Sequence, residues 1–160
     1  MTTTYYTHLD SPLGSLRLLG EDDALVGLQL PDQRHARPLP ARCSRDAAAF
    51  RDTRAQLAEY FAGQRSAFDL RLAPAGTDFQ RRVWSAVRSV PTGSTASYRD
   101  VAARIGRPTA ARAVGLANGH NPIVVVIPCH RIIGADGSLT GYAGGLAAKR
   151  WLLSHEGARP

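Results

Sequence analysis

Apolar and polar positions in the N-terminal part of the chain alternate in short runs. Period-two alternation over Thr2–Leu9, Ser15–Gly20 and Ala24–Leu30 predicts three strands separated by turn residues. Pro31–Ser44 holds three prolines and three arginines with little periodic apolar content, so we expect a loop. Arg45–Gly63 places apolar residues at helical spacing and predicts a helix that ends at its glycine.

A change of pattern divides the chain near its middle. Ala67–Leu72 alternates again and predicts one more strand. Pro74–Gly76 then interrupts any regular element, and the charge balance changes at the same place. We therefore predict an N-terminal α/β supporting domain at residues 1–76 and a second, helix-rich domain at residues 77–160.

The second half begins with helix signals. Thr-x-x-Gln at Thr77 and Ser-x-x-Asp at Ser97 match capping boxes, which predict the starts of two helices. We expect the second to run to Ile105 and a third to run from about Thr109 to Gly119, after a short turn that contains glycine. Two short helices joined in this way outline a helix-turn-helix, which favours DNA binding.

An apolar run follows that is not helical. Ile123–Ile127 is β-branched throughout and bounded by prolines, so we expect a fully buried, extended segment that ends near Cys129. Gly134–Gly145 is glycine-rich and predicts a loop. Leu146–His155 predicts a last helix, ended by Gly157.

Charge is distributed unevenly over the 160 residues. The net charge is +7, yet residues 79–160 carry 11 Lys and Arg against 3 Asp and Glu, and the earlier residues are nearly neutral. Ten of those 11 cations are arginines, and Lys149 is the exception. Arginine suits planar phosphate recognition, so the pattern favours a polyanion-binding module on a supporting one. A merely solubilising cationic surface is the alternative.

Composition excludes several classes of protein. No apolar stretch is long enough to span a membrane, and the polar start Met1–Asp10 lacks the apolar core of a secretory signal. The two cysteines, Cys43 and Cys129, form no Cys-x-x-Cys pair, which argues against a disulfide framework or a cysteine-rich zinc site. We expect a cytoplasmic protein without a bound metal.

Cys129 is the candidate nucleophile, followed directly by His130 and Arg131. A lone cysteine after an apolar run is often an inert core residue, and this interpretation of Cys129 stays open from the residues alone. A reactive cysteine needs a base or a positive charge nearby, and its histidine needs an orienting carboxylate. Asp100 is used by a helix cap and Asp136 belongs to a turn, which leaves Glu156 as the best partner among the acidic residues of this half.

Five motifs resemble, in order and spacing, those of the O6-alkylguanine-DNA alkyltransferases. The resemblance is close from about Thr77 to Gly157, and looser over the N-terminal half, where Asp10–Gly14 and the strand and helix outline match. The matching segments are Ser97-Tyr98, Arg112–Gly115, Asn118–Pro122 continuing through Pro128–Arg131, Gly141–Gly145, and Leu152–Gly157.

The resemblance implies an α+β fold, in which a small ribonuclease H-like α/β domain precedes an α-rich catalytic domain with a helix-turn-helix. It implies a suicide DNA repair protein that flips out O6-alkylguanine and moves the alkyl group, once and irreversibly, to Cys129. It implies no cofactor and double-stranded DNA as the partner, with O4-alkylthymine as a further substrate. We expect a monomer, with clustering on DNA left open.

The resemblance also assigns roles to individual residues. Cys129 is the nucleophile, His130 deprotonates it through a water, and Glu156 holds the imidazole. Asn121 is a hinge between the DNA-binding helix and the active-site turn. Tyr98 donates its phenolic proton toward guanine N3 as the base leaves.

The remaining implied residues bind DNA or line the base pocket. Arg112 enters the gap left by the flipped nucleotide, and small neighbours allow a close approach to the minor groove. The expected DNA-binding residues are Arg112, Ala110, Ala111, Ala113, Gly115, Ser97 and Arg131. The expected pocket residues are Tyr142, Ala143 and Gly144, although Tyr142 could equally be a packing tyrosine.

Residues at individual positions show which properties of particular family members are not expected in this chain. Cys43 is the lone cysteine of the N-terminal half, so the structural zinc of some members is not expected, and an incidental thiol is favoured over a second methyl acceptor. Ala143 stands where some members have serine, which removes a hydroxyl contact. The presence of Cys129 argues against the alkyltransferase-like proteins, which bind the lesion without repairing it. Two alternatives remain, namely a non-enzymatic DNA-binding regulator and a multiple-turnover hydrolase.

Overall fold

The N-terminal half is built on a four-stranded sheet. In the computed structural model, which describes residues 2–158, the strand order is β3-β2-β1-β4. β1, β2 and β3 form an antiparallel meander, and β4 lies parallel to β1. The three meander strands agree with prediction to within about two residues. The strands are β1 (Thr4–Ser11), β2 (Gly14–Glu21), β3 (Ala24–Gln29) and β4 (Ser44–Arg45).

Helix α1 (Arg51–Phe61) packs near this sheet and starts later than predicted. Residues before it form a short 3-10 turn, because the Asp46 carboxylate accepts the backbone N–H groups of Ala48 and Ala49 and holds them in a turn. The helix ends at Phe61, and Gly63 follows its C-cap with a φ of +77° that favours glycine.

The predicted strand at Ala67–Leu72 is wrong. Only Leu72 bridges a strand residue, Leu25. The Gln56 side chain instead bonds both backbone groups of Asp69, with its amide nitrogen 2.9 Å from the carbonyl oxygen and its amide oxygen 2.8 Å from the backbone nitrogen. Those groups are therefore satisfied without a ladder.

The C-terminal half is helical, as predicted, with a two-residue parallel pair between β5 and β6. Both predicted capping boxes are present, at Thr77 and at Ser97. Trp84 is buried and donates to the Ala117 carbonyl, which confirms a core role. The elements are α2 (Asp78–Arg88), β5 (Ala96–Ser97), α3 (Tyr98–Arg104), α4 (Ala111–Gly119), β6 (Ile132–Ile133) and α5 (Leu146–His155).

The segment Ile123–Ile127 is fully buried as predicted, but it is not extended. It turns back on itself, with the Ile127 nitrogen 2.9 Å from the Ile123 carbonyl oxygen. Val125 sits at a φ of +72°, which is strained for a β-branched residue. Its neighbours explain the turn, because Val124 bonds to Leu28 of β3 and Asn121 accepts the backbone N–H of Ile123.

One hydrophobic core joins the two halves of the molecule, so that the sheet and α1 support the helical half directly. The architecture is α+β, and the predicted fold class is confirmed. Among residues 2–158 we find no helix that is both long and apolar enough to cross a membrane.

Candidate active site

Cys129 opens a short 3-10 turn directly behind the strained apolar turn and is 2% exposed. Two asparagines donate hydrogen bonds to the backbone of this turn and of the segment just before it. Asn118 of α4 donates to the Cys129 carbonyl oxygen at 3.2 Å, and Asn121 donates to the Ile127 carbonyl oxygen at 2.8 Å. The end of α4 is therefore fastened to the turn that carries the sulfur, which is where we expected Asn121 to act.

His130 is fully buried and is oriented by Glu156. Its Nε2 lies 2.8 Å from Glu156 Oε2, and because a carboxylate can only accept, Nε2 carries the proton. Nδ1 is then the basic nitrogen, and it has no hydrogen-bond partner within the described part of the chain. An unpaired, buried lone pair of this kind is available to take a proton from the neighbouring residue.

Glu156 is held as an anion by several donors. Arg131 donates from Nε to Oε1 at 2.8 Å and from Nη2 to Oε2 at 3.0 Å, and the Tyr60 hydroxyl donates to Oε2 at 2.5 Å. Burial alone would raise the pKa of this carboxyl, but the hydrogen bonds from His130, Arg131 and Tyr60 outweigh it and set the pKa at about 2.

The resting thiol and imidazole are both neutral. Burial raises the pKa of Cys129, and the Asn121 side chain, the Lys149 charge and the Tyr142 hydroxyl offset it only in part. Burial also lowers the pKa of His130 against the opposing pull of Glu156. The site is therefore a thiol beside a neutral base, and the thiolate forms only when the proton moves.

A cavity of about 290 Å³ opens between α4 and the glycine-rich loop, and Tyr98, Tyr142, Asn118 and Ala143 line it. Cys129 is not among the lining residues but lies directly behind two of them, since Asn118 donates to its carbonyl oxygen and Tyr142 lies beside its thiol. The Tyr98 hydroxyl accepts from Thr140 Oγ1 at 3.2 Å, so its own proton is free for a ligand. A larger groove of about 500 Å³ is lined by N-terminal residues alone and holds no candidate nucleophile.

Lys149 organises the loop above the cavity, and sequence reasoning missed it. Its fully buried Nζ donates to the carbonyl oxygens of Ile132 at 2.6 Å and Thr140 at 2.9 Å, and lies 3.4 Å from that of Gly141. Burial lowers its pKa to about 8. The sequence did hold a signal for this role, since Lys149 is the one lysine beside ten arginines in this half of the chain. A compact ammonium can donate to several carbonyl oxygens at one point, which a planar guanidinium does less well.

The Pro31–Ser44 loop also reaches the cavity, which the sequence did not indicate. Arg34 and His35 line it, and the Arg34 backbone N–H donates to the Ala143 carbonyl oxygen at 2.8 Å. The His35 ring stacks on His120 at the end of α4, with ring centroids 4.2 Å apart. The loop therefore closes one wall of the cavity.

The exposed face of α4 carries one arginine among small residues. Arg112 and Ala113 are exposed, Ala110, Ala111 and Gly115 are half-buried, and Gly115 also borders the cavity. Leu116, one turn after Arg112, is 67% exposed. The residues expected at a DNA surface on this helix thus lie within two turns of one another, and Gly115 joins them to the cavity.

Two expected positions need correction. Arg131 is buried, with its guanidinium committed to Glu156, Val90 and Thr92, so it cannot contact DNA as expected. Gly144 does not line the cavity but packs against Leu30. Ser97 caps α3 by accepting the Asp100 backbone N–H and is half-buried, so its expected contact with DNA stays a prediction. Local sequence could not distinguish these structural uses from functional ones.

Acid should destabilise the protein. The folded pKa of Glu156, about 2, lies below the ordinary 4.5, so its stabilising effect is complete above pH 4.5 and is lost as the pH falls toward 2. That loss amounts to about 3 kcal/mol. The lowered pKa of His130 adds to it from about pH 6.5 downward, because the unfolded chain takes up that proton first. Denaturant midpoints measured between pH 7 and pH 3 should fall steadily, and a flat profile would contradict this electrostatic picture.

Comparison with known proteins assigns the chain to a class. Residues 78–158 match the family model described as "6-O-methylguanine DNA methyltransferase, DNA binding domain", and residues 4–74 match "6-O-methylguanine DNA methyltransferase, ribonuclease-like domain". The two matches cover almost the whole chain, and they confirm the expected ribonuclease-like first half.

Individual relatives agree. A methylated-DNA–protein-cysteine methyltransferase of Mycolicibacterium paratuberculosis is 50% identical over 94% of this chain and 91% of its own, and one of Methanosarcina barkeri is 47% identical over 95% and 96%. The crystal structure of Mycobacterium tuberculosis OGT in complex with DNA superposes with a TM-score of 0.90, at 48% identity over 96% of this chain and 92% of that one. This chain belongs to the methylated-DNA–protein-cysteine methyltransferase family.

Proposed function

We propose that this protein repairs O6-alkylguanine in duplex DNA by moving the alkyl group to Cys129, in a single irreversible event. The observation that carries the proposal is the placement of Cys129, with His130 and Glu156 behind it, against two residues that line a cavity: Asn118 donates to the Cys129 carbonyl oxygen, and Tyr142 lies beside the thiol. Gly115 of α4 borders the same cavity, and Arg112 is exposed on that helix. The relatives named above, one of them solved with DNA, support the same reaction class.

The chemical step is a displacement at the alkyl carbon. His130 Nδ1 takes the Cys129 proton through a water, the thiolate attacks the carbon, an S–C bond forms, and the O6–C bond breaks. The electron pair of that bond stays on the guanine, which regains a proton as it leaves. Tyr98 supplies that proton toward N3, since its phenol lines the cavity with its proton uncommitted. The proton held by His130 then passes through solvent to the Tyr98 phenolate, so that one proton in all moves from the thiol to the guanine and both residues return to their starting states. Guanine and S-alkylcysteine are the products.

The lesion must leave the base stack to reach the cysteine. The cavity lies behind α4, so the nucleotide rotates out of the duplex past that helix. Arg112 is exposed beside the mouth, where a planar guanidinium can fill the gap and bond to the orphaned base. Small residues along α4 permit close approach to a groove. Because most expected contacts go to phosphates, affinity should fall steeply with salt.

The transfer ends with the first event because a neutral thioether is a poor alkyl donor, since the S–C bond would have to break with the Cys129 thiolate as the leaving group. Cys43 is the other thiol, and it lies in the Pro31–Ser44 loop near Arg17, with no contact to the Asn118 and Tyr142 side chains that hold Cys129. A buried S-alkylcysteine therefore keeps its alkyl group. We propose O4-alkylthymine as a second substrate of the same cavity. We also propose that the protein acts as a monomer, because the one candidate active site is formed by a single chain.

Substitution of Cys129 tests the proposal. Cys129→Ala should remove all loss of O6-methylguanine from a duplex oligonucleotide, followed by chromatography of the digested DNA, and should take up no methyl. Cys43→Ala is the matched control, because it also deletes one thiol, and it should repair like the wild type.

Repair that persists in Cys129→Ala would contradict the proposal. A DNA-binding regulator predicts no methyl on either variant. A hydrolase with this triad predicts more lesion removed than protein added.

Alkylation should destabilise the fold. The thiol is 2% exposed in a packed site, so an added methyl group costs about 1–3 kcal/mol of folding stability. For a chain of this size that corresponds to a Tm lower by roughly 2–10 °C. Calorimetry of methylated and unmodified protein measures the difference, and an equal or higher Tm after methylation would refute the packing argument.

A further inference from the structure

Tyr60, on α1 of the N-terminal half, is bonded at both ends to the end of α5. Its phenolic hydroxyl donates to Glu156 Oε2 at 2.5 Å, and its backbone carbonyl oxygen accepts from His155 Nε2 at 2.7 Å. The residue is 1% exposed. The Glu156 side chain is also 1% exposed, so the phenol and the carboxylate meet away from bulk solvent.

The Tyr60 bond ends on the oxygen that orients the catalytic imidazole. Glu156 Oε2 accepts from Tyr60 at 2.5 Å and from His130 Nε2 at 2.8 Å. The same oxygen also accepts from Arg131 Nη2 at 3.0 Å. Each further donor draws charge away from the oxygen, and a weaker anion stabilises an imidazolium less. The phenol thus opposes proton uptake by His130 while it fixes the carboxylate in place.

Aromatic contacts keep the phenol in this position. The Tyr60 ring lies 5.2 Å from the rings of both Phe61 and His155 and 5.4 Å from that of Phe68. His155 in turn stacks on Trp151, with centroids 4.7 Å apart. A ring held on several sides presents its hydroxyl without further ordering.

We propose that Tyr60 is a positioning residue for alkyl transfer, whose hydroxyl fixes the Glu156 carboxylate and sets how readily His130 accepts the proton of Cys129. The inference rests on the proposed function. It gives the N-terminal half a part in the reaction, because the sheet and α1 deliver a hydrogen bond into the catalytic network.

Several other charged and titratable groups face the network, and Tyr60→Phe alters none of them. Arg131 contacts both oxygens of Glu156, and Lys149 acts on Cys129 and His130 by its charge. Tyr142 lies beside Cys129, and His155 follows Trp151 on α5. Burial, and then the adjacent Glu156 charge, raise the pKa of Tyr60, so the phenol remains a donor throughout the working range.

The pH dependence of the methyl-transfer rate tests this role. Tyr60→Phe removes one oxygen and keeps the ring. At a saturating concentration of lesion duplex, so that DNA binding does not limit the rate, the acid limb of the rate profile should move upward by about half a pH unit or more, because Glu156 then holds the imidazolium more strongly. Phe61→Leu is the control, since it loosens the same aromatic contacts, keeps the hydroxyl, and should leave the midpoint unchanged.

An unchanged midpoint in Tyr60→Phe, with methyl uptake intact, would overturn the inference, as would an equal shift in Phe61→Leu. Wild-type protein that takes up no methyl would instead remove the proposed function, and this inference with it. If Tyr60→Phe does not fold, proton NMR of the wild type decides. A slowly exchanging hydroxyl proton with a cross-peak to the His130 Nε2 proton supports the bond, and its absence refutes it.

Discussion

Glu156→Gln should lower both stability and reactivity more than any other conservative change in the network. The substitution keeps the shape of the side chain but removes the negative charge that faces Arg131 and His130. Arg131 would be left as a buried cation without an anion, which costs about 3–5 kcal/mol. The imidazolium formed when His130 takes the thiol proton would lose its counter-charge, so methyl transfer should slow by about 10²–10⁴-fold.

Glu59→Gln is the matched control for this prediction. Glu59 pairs with Arg65 at 3.4 Å on the surface, where both side chains are partly exposed. Such a pair contributes about 0–1 kcal/mol, so stability should change little and the rate should stay at the wild-type value. Chemical denaturation and single-turnover kinetics on both variants give the comparison. A Glu156→Gln protein that is as stable and as fast as Glu59→Gln would refute the role assigned to the carboxylate.

Arg112→Ala should impair repair of duplex DNA selectively. If the guanidinium replaces the stacking and hydrogen bonds of the flipped nucleotide, its loss removes about 1–3 kcal/mol from the extruded state. The rate on a lesion duplex should therefore fall by about 10–100-fold. The rate with free O6-methylguanine base should not change, because that substrate has no stack to leave.

Arg51→Ala is the control for charge, since Arg51 is an exposed arginine at the start of α1 in the other half of the chain. It changes the net charge equally but leaves the face of α4 intact, so both rates should match the wild type. Equal loss on the free base and on the duplex in Arg112→Ala would place Arg112 in the chemistry or in the folding of the site. An equal loss on the duplex in Arg51→Ala would reduce the role of Arg112 to general electrostatics.

Local signals in the sequence were sufficient for most of the fold. The meander strands are short alternating runs between turn residues, and the capping boxes at Thr77 and Ser97 fix helix starts by hydrogen bonds within four residues. The secondary-structure predictions fail where contacts between residues distant in the sequence determine the local structure. Gln56 satisfies the backbone of Asp69 and removes a strand, and the contact of Val124 with Leu28 bends a segment that looks extended.

The residues of the candidate site also fall into those that the sequence could predict and those that depend on the folded structure. Cys129, His130 and Glu156 could be predicted, because their motifs resemble a known family. Lys149 and Tyr60 could not, since their roles depend on carbonyls and carboxylates that only the folded chain brings to them. Arg131 shows the reverse error, in which a cation beside the nucleophile in sequence is turned inward to neutralise Glu156.

The stoichiometry of alkyl transfer tests the central claim most directly. Wild-type protein is incubated with an excess of duplex DNA that contains O6-methylguanine, and the remaining lesion is counted while intact and peptide masses of the protein are recorded. We expect lesion loss to stop at one equivalent per chain, with one methyl group on the peptide that contains Cys129. Continued lesion loss beyond one equivalent, or a methyl group on any other residue, would contradict the account.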